Sequence, residues 1–245
     1  MRRELRERRG AMSVVIAACA VGLAGCSGDM DLGSSIRVPA EKRQVVEGSA
    51  IGQTVNLPKD RPFNIHVKES SQNPGSQGTA QGAADANGWG EASGSAVAGD
   101  GGTAAGRFSI GQAIEYRGSS PMQASVKVAF DVHTELNAEP PESAAVGQVS
   151  LTAFVRDSMG KVHPRIALDS LSSDSAPGKA TRSESREFSF VMEPERNYEV
   201  VFQGAVTATT EMGTKAAAKV AIGALRMHIT FSATPPTTGT APAGR

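Results

Sequence analysis

Hydrophobic and polar residues alternate along much of the chain. The cleanest run is Met122–Leu136, where an apolar residue stands at nearly every second position and Gln, Ser, Lys, Asp, His and Glu stand between them. A period of two puts the apolar side chains on one face of a strand. The run therefore predicts a half-buried strand. Glu139-Pro140-Pro141-Glu142 ends it, because proline has no N–H to donate to a neighbouring strand.

Shorter runs with the same period predict further strands, separated by turn residues. One or two short strands are expected between Ile36 and Leu57, followed by Pro62–Lys68, Phe108–Tyr116, Val149–Val155, Val162–Leu168, Phe188–Met192, Tyr198–Ala208 and Ala216–Phe231. The polar stretches Gly99–Gly106 and Ser170–Arg186 are predicted to be loops. No segment has the period of an amphipathic helix. The pattern predicts an all-β fold, an antiparallel β-sandwich of jelly-roll-like type, over residues 36–233.

The last strand changes its hydrophobic parity. Ala216, Ala218, Val220 and Ile222 hold even positions, whereas Leu225, Met227, Ile229 and Phe231 hold odd positions. One extra residue in a strand shifts which side chains face the core. The sequence therefore predicts a β-bulge at Gly223-Ala224.

Residues 70–106 are rich in glycine and alanine. Every even position from Ala80 to Ala98 is Ala or Gly. This period predicts a strand or a strand pair with one face of very small side chains, whereas the composition alone is typical of a flexible insertion. Asn87-Gly88 is a favourable hairpin turn, and pairing Ala86 with Trp89 would split the small face into two mixed ones.

The N-terminal 25 residues have the three parts of an export signal. Met1–Gly10 contains five arginines and two glutamates, and Ala11–Val21 is apolar. The uncharged stretch is shorter than the roughly 20 residues that a membrane-spanning helix needs. A cleaved signal is therefore expected. Ala18-Cys19-Ala20 offers a second small-x-small cleavage site, but a cut there would shorten the apolar part severely and leave the sequence up to Cys26 unexplained.

Leu23-Ala24-Gly25-Cys26 resembles the lipobox of bacterial lipoproteins. The resemblance implies that signal peptidase recognises Leu23, Ala24 and Gly25, cuts before Cys26, and leaves this cysteine with a diacylglycerol thioether and an N-acyl group such as palmitate. By the same resemblance, Ser27 favours the outer membrane over the inner membrane in a Gram-negative cell. Residues 26–35 are predicted to be a flexible tether and residues 234–245 a disordered tail.

Charge and cysteine content exclude several function classes. Lys and Arg total 25, Asp and Glu total 25, and no basic surface for nucleic acid is indicated. The two cysteines are Cys19 and Cys26, so neither a disulfide framework nor a cysteine zinc site is predicted. No catalytic motif or cofactor motif is present, and we expect no enzyme and no cofactor. Asp131 and His133 share a strand face and are weak metal candidates; surface pairing across strands is the plainer interpretation.

The order of the segments resembles that of another group of exported proteins. Alternating small residues come first, then Arg107-Phe108-Ser109-Ile110, the long strand from Met122, and three further strands up to Phe231. This order resembles exported bacterial β-sandwich proteins of the PEP-CTERM and choice-of-anchor kind, over about residues 75–233. The resemblance implies the fold and a surface setting but no chemistry. The chain departs from that group because it has a lipobox in place of their C-terminal sorting tail.

Two roles are therefore predicted. The first is a lipid-anchored envelope protein with a structural or protein-interaction role. The second is a lipid-tethered carbohydrate-binding module. If residues 80–98 form one strand, Asp85, Asn87, Trp89 and Glu91 project from the same polar face, and the Trp89 ring between two glycines is open for stacking on a sugar. The partners expected are a membrane, and an envelope protein or a polysaccharide.

Overall fold

The computed structural model describes residues 38–72, 77–97, 102–140, 145–175 and 177–234. Twelve strands lie in these ranges: β1 Gln44–Glu47, β2 Thr54–Leu57, β3 Ile65–Gln72, β4 Gln77–Ala84, β5 Gly90–Val97, β6 Gly102–Arg117, β7 Met122–Glu139, β8 Val146–Asp157, β9 Val162–Ser172, β10 Gly178–Met192, β11 Asn197–Thr210 and β12 Lys215–Ala233. The predicted leader, Cys26, the tether and the tail beyond Thr234 lie outside the described residues. Within the described ranges, no helix has the length and apolar character needed to cross a membrane.

The strands form two sheets. Sheet I has the order β1-β6-β11-β8-β9, with β3 also paired to β6, and sheet II has the order β10-β7-β12-β5-β4, with β2 also paired to β12. The pairings are antiparallel except for that of β1 with β6. Strands β5 to β12 follow the order β5-β12-β7-β10 in one sheet and β6-β11-β8-β9 in the other. This double Greek key is a jelly roll, so the predicted fold class is confirmed.

The inner faces of the two sheets share one hydrophobic core. Phe130 of sheet II meets Phe202 of sheet I edge-on at 4.9 Å between ring centroids, and Phe108 stacks 6.3 Å from Phe202. Burial along β7 alternates over most of its length, as the sequence predicted, with Val126, Val128 and Val132 no more than 1% exposed. The long amphipathic strand thus supplies much of the sheet II side of the core.

The glycine- and alanine-rich stretch forms the β4–β5 hairpin. Its register pairs Ala84 with Gly90 and Gly82 with Ala92, so the small residues of both strands stay on one face. The small face is not divided into two mixed faces, because the loop Ala86-Asn87-Gly88 has three residues. A loop of this length leaves the even positions of both strands on the same side of the sheet. Gly88 has the positive φ of 90° that the last position of such a loop requires.

The small face of this hairpin lies directly against the main chain of sheet I. A Cβ atom on Gly82 would stand 2.1 Å from the Arg107 carbonyl oxygen, and one on Gly94 would stand 2.8 Å from the Ala104 carbonyl oxygen. Side chains normally hold packed sheets about 10 Å apart. Here backbone meets backbone, and this close approach explains the run of glycine and alanine.

Two loop predictions were wrong over most of their described residues. Residues 102–106 belong to β6, where small residues fit beneath the hairpin. Within Ser170–Arg186, β9 continues to Ser172 and β10 begins at Gly178. The first half of β10 is largely exposed because β10 is the edge strand of sheet II. Its main chain pairs with β7 without needing apolar side chains, so the sequence carries no hydrophobic period there.

The predicted bulge in β12 is confirmed. The register against β7 shifts by one residue between Gly223 and Arg226, which puts Ala224 and Leu225 opposite Phe130. Ala224 takes a positive φ of 54°. Leu225 is buried as a result, and the later half of β12 keeps its apolar residues in the core.

Candidate functional site

Trp89 lies at the end of the β4–β5 turn on the outer face of sheet II. Side chains alternate along a strand, and a Cβ on Gly90 would point inward to within 2.5 Å of the Phe108 ring. Trp89 therefore points outward, and 42% of its surface is exposed. An aromatic ring in this position presents an apolar surface to solvent.

The turn itself is organised by Asp85. One carboxylate oxygen accepts hydrogen bonds from the backbone N–H of Asn87 at 2.8 Å and of Trp89 at 3.0 Å. The backbone N–H of Asp85 donates to the Trp89 carbonyl at 2.9 Å, and that of Phe63 donates to the Ala86 carbonyl at 2.9 Å. The backbone that carries Trp89 is therefore held from both sides.

The structure corrects the placement of the four residues predicted to contact a glycan. They do not lie on one strand, because the chain reverses direction between Asp85 and Trp89, but the register of the hairpin keeps Asp85, Trp89 and Glu91 on the same outer face of the sheet. The Asp85 carboxylate is engaged by its own turn, and Asn87 is exposed in the loop. Glu91 lies on β5, where it pairs with Lys219 at 3.0 Å. Trp89 keeps an open surface, but its acidic neighbours are already paired.

Asp131 and His133 lie side by side on the same outer face, each bonded across to β10. The Ser183 hydroxyl donates to the Asp131 carboxylate at 2.6 Å, and His133 Nδ1 lies 2.8 Å from the Thr181 hydroxyl. No cluster of three potential metal ligands occurs among the described residues. The geometry is that of cross-strand surface pairs.

The other histidines are placed elsewhere. His66 lies on β3 in sheet I. In sheet II, His228 bonds to Asn56 Oδ1 at 2.6 Å, opposite Lys127 of β7. Lys127 and His133 are six positions apart along β7, or about 20 Å. These histidines are thus not brought together in one cleft with Asp131.

Sequence reasoning missed a cluster at one end of the sandwich, between β9 and β10. Asp157 has a side chain only 1% exposed, and its Oδ1 accepts hydrogen bonds from the backbone N–H groups of Met159 and Lys161, both at 2.9 Å. Its Oδ2 lies 3.1 Å from His163 Nε2 and 3.5 Å from Arg196 Nη1. In sequence Asp157 was recognisable only as a turn residue, because its partners come from a strand and from a distant turn.

The electrostatics of Asp157 follow from these contacts. Burial by itself raises the pKa of the carboxyl group, but the hydrogen bonds from His163 and from the backbone N–H groups of Lys161 and Met159 outweigh it. The pKa of Asp157 is therefore lowered, and the ionised form is the one that the fold stabilises.

An open cleft of about 670 Å³ adjoins this cluster. Its lining includes Lys161, His163, Pro164, Phe190, Arg196 and Tyr198. The Tyr198 hydroxyl accepts the backbone N–H of Glu193 at 2.7 Å, and its ring lies 5.5 Å from Phe190. Because Asp157 and Tyr198 both tie turns to neighbouring strands, the cluster closes this end of the sandwich.

Comparisons with known proteins do not assign this chain to a family. The sequence matches no family model and no curated protein. Among solved structures, a carbohydrate-binding module described under the β-sandwich superfamily aligns with a TM-score of 0.29 and 8% identity, covering 64% of this chain and 55% of that chain. The Gt strain of infectious bursal disease virus aligns with a TM-score of 0.26 and 10% identity, covering 76% of this chain and 37% of that chain. This chain therefore spans about half of the module and about a third of the viral chain, and the jelly-roll assignment rests on the strand order.

Proposed function

We propose that this protein is a lipid-anchored envelope protein whose jelly-roll domain has a structural or protein-interaction role rather than a catalytic one. Leu23-Ala24-Gly25-Cys26, placed after a basic and then an apolar segment, is the observation that carries the proposal. Acylated Cys26 would hold several acyl chains, and several chains bind a bilayer far more strongly than one. Ser27 supports delivery to the outer membrane of a Gram-negative cell.

Labelling with a fatty acid tests the anchor. The full chain is expressed in bacteria fed an alkyne-bearing palmitate, and the label on the protein is measured after gel separation. Cys26→Ala should abolish the label. Cys19→Ala is the matched control and should keep it, because the leader is expected to be removed. Label retained on the Cys26→Ala protein would refute the proposed anchor.

The exposed ring of Trp89 favours a second candidate function, binding of a polysaccharide. Its outward face is apolar, as the C–H face of a sugar ring is, and stacking of this kind suits an amphipathic ligand. The turn bonds made by Asp85 hold the backbone of Trp89 in place before a ligand arrives. Binding then costs less conformational entropy, because this part of the backbone is already ordered in the free protein.

Trp89 also supplies its own probe, because the chain has one tryptophan. Fragments of cell walls and exopolysaccharides should change its fluorescence in a saturable way. By calorimetry, Trp89→Ala should abolish binding and Trp89→Phe should keep part of it. Val191→Ala, which alters another apolar side chain that is 42% exposed, should bind as the unaltered protein does. Fluorescence indifferent to every fragment would rule this function out.

A further inference from the structure

The outer face of sheet II has a gap beside Trp89. The backbone N–H of Leu225 donates to the Gly88 carbonyl at 3.1 Å, and Gly90 pairs with Ile222. Trp89 is bracketed by these two contacts and so lies opposite the Gly223-Ala224 bulge. A Cβ built on Gly223 meets nothing within 4 Å, and Gly223 is not in a left-handed conformation. The face is therefore open next to the indole.

Asp131 lies directly across this gap. Gly223 pairs with Asp131 on β7, and Asp131 in turn pairs with Ser183 on β10. Neighbouring strands are about 4.8 Å apart, so Trp89 and Asp131 are separated by roughly 10 Å across the sheet. The space between them is floored by Gly223, which has no side chain.

The bulge of β12 borders the far side of the gap. A depression of about 390 Å³ lies there, and its lining includes Ala129, Asp131, Ser183, Ser185, Ala224 and Arg226. The shift in register returns Arg226 to the outer face beside Ala129, so an exposed guanidinium borders the depression. An apolar ring, an open glycine floor and a hollow bordered by Asp131, Ser183 and Arg226 thus follow one another across the sheet.

We infer that a saccharide chain binds across sheet II from Trp89 over Gly223 to Asp131, with one sugar stacked on the indole and the next bonded to the carboxylate. This inference rests on the proposed polysaccharide-binding function of Trp89. It assigns Asp131 as the polar partner of Trp89, in place of the polar residues of the hairpin. Asp85 is held by its own turn and Glu91 by Lys219, whereas Asp131 accepts one bond, from the Ser183 hydroxyl at Oδ1, and its carboxylate borders the depression. The path is longer than one pyranose ring, so the ligand class is an oligosaccharide of at least two sugars.

The probes are linear glucose oligomers of one to six units, in a β-1,4-linked and an α-1,4-linked series, and β-1,4-linked N-acetylglucosamine oligomers. Affinity is measured by calorimetry on the full chain. The single sugar should bind weakly and the disaccharide at least tenfold more tightly in the series that fits. Asp131→Asn should weaken binding by about tenfold, the effect of losing a hydrogen bond to a charged group.

Gly223→Val is the decisive variant, because it fills the gap without removing any ligand contact. Valine suits a strand, and a Cβ at this site meets nothing within 4 Å, so the fold should persist. Binding of the longer oligomers should fall at least tenfold while the far-ultraviolet circular dichroism and the unfolding temperature of the free protein stay unchanged. Ser232→Val, on the same strand and outer face but opposite Gln123, is the matched control and should bind normally.

The outcomes separate the two ideas. If no oligomer binds, the path is overturned, and the polysaccharide-binding function falls with it if the cell-wall and exopolysaccharide fragments also leave Trp89 fluorescence unchanged. If binding requires Trp89 but is unaltered by Gly223→Val and Asp131→Asn, only the path is overturned. Loss of affinity in both variants, with normal binding by Ser232→Val, supports the path.

Discussion

At the scale of single residues, Asp157 shows how one buried carboxylate orders several turns. It accepts two backbone N–H groups and lies beside His163 and Arg196. Its lowered pKa means that the native state binds this proton less readily than the unfolded chain does. The stabilisation it provides is complete above its unfolded pKa, which is about 3.9. It is lost as the pH falls through the lower, folded pKa.

Asp157→Asn should lower the free energy of unfolding by about 1–3 kcal/mol at pH 7, since it weakens several hydrogen bonds to a buried charge. The difference between variant and parent should narrow in the acid range below about pH 4. Urea unfolding at both pH values measures this. Asp174→Asn, at an exposed turn position, should change stability by less than about 0.5 kcal/mol. An equal loss in the two variants would contradict the role given to Asp157.

Residue roles of this kind were the least predictable from the sequence. Trp89 stood out because it is the only tryptophan and is flanked by glycines. Asp131 and His133 were predicted to lie on one strand face only because they are two positions apart in the sequence. The partners of Asp157 are contributed by other elements, and nothing in a local pattern shows which distant side chains a carboxylate will meet. Likewise, the alignment of Trp89 with Gly223 depends on a strand pairing that the sequence does not state.

At the scale of elements, the small-residue face of the β4–β5 hairpin sets the spacing between the sheets. Gly82→Ala should cost about 3 kcal/mol or more, because its methyl group would collide with the Arg107 carbonyl oxygen and backbone cannot rotate away. Gly223→Ala is the matched control, with open space for the same methyl group. Chemical unfolding compares the two. Equal stability of the two variants would show that the sheets can separate locally at little cost.

Because of the bulge in β12, we expect substitution by glycine to have opposite effects on stability at two nearby positions. Ala224 has a positive φ, which strains a residue with a Cβ, so Ala224→Gly should stabilise the protein by up to about 1 kcal/mol. Ala221 lies in regular strand opposite His133, and Ala221→Gly should destabilise by about 0.5–1 kcal/mol. Thermal unfolding of both variants tests this. A loss of stability in both would argue against strain at Ala224.

Elements were predictable where side chains alternate against the core and unpredictable where they do not. The parity change at Gly223-Ala224 predicted the bulge correctly because both halves of β12 bury one face. The edge strand β10 was missed over its first half because exposed side chains follow no hydrophobic period. The start of β6 was missed because close packing there selects glycine and alanine, which resemble loop residues in composition.

At the scale of the whole molecule, one core joins both sheets through Phe202. Its ring contacts Phe130 across the sandwich and Phe108 within its own sheet. Phe202→Ala should therefore lower the free energy of unfolding by about 3–5 kcal/mol. Met159→Ala, at a side chain that is 79% exposed, should have little effect. Separate unfolding transitions for the two sheets, measured by calorimetry, would contradict a shared core.

The fold class followed from the number and period of the strands, and the strand order confirmed it. The sequence did not indicate that β5 to β12 form the eight jelly-roll strands, or that β1, β2, β3 and β4 extend the two sheets at their edges. Those pairings depend on long-range contacts between main chains, which leave little trace in side-chain patterns.

The stripe of glycine and alanine in the β4–β5 hairpin also has a consequence for hydrogen exchange. Methyl groups and hydrogens bury little apolar surface, so the hairpin gains little of the roughly 25 cal/mol per Å² that larger side chains provide. It should therefore open locally at a lower free energy than β7 or β11, and the amides of β5, which lies inside sheet II, should exchange before those of β12 and β7. A saccharide bound at Trp89 should slow that exchange from one end of the hairpin, and the protection would report occupancy without any label.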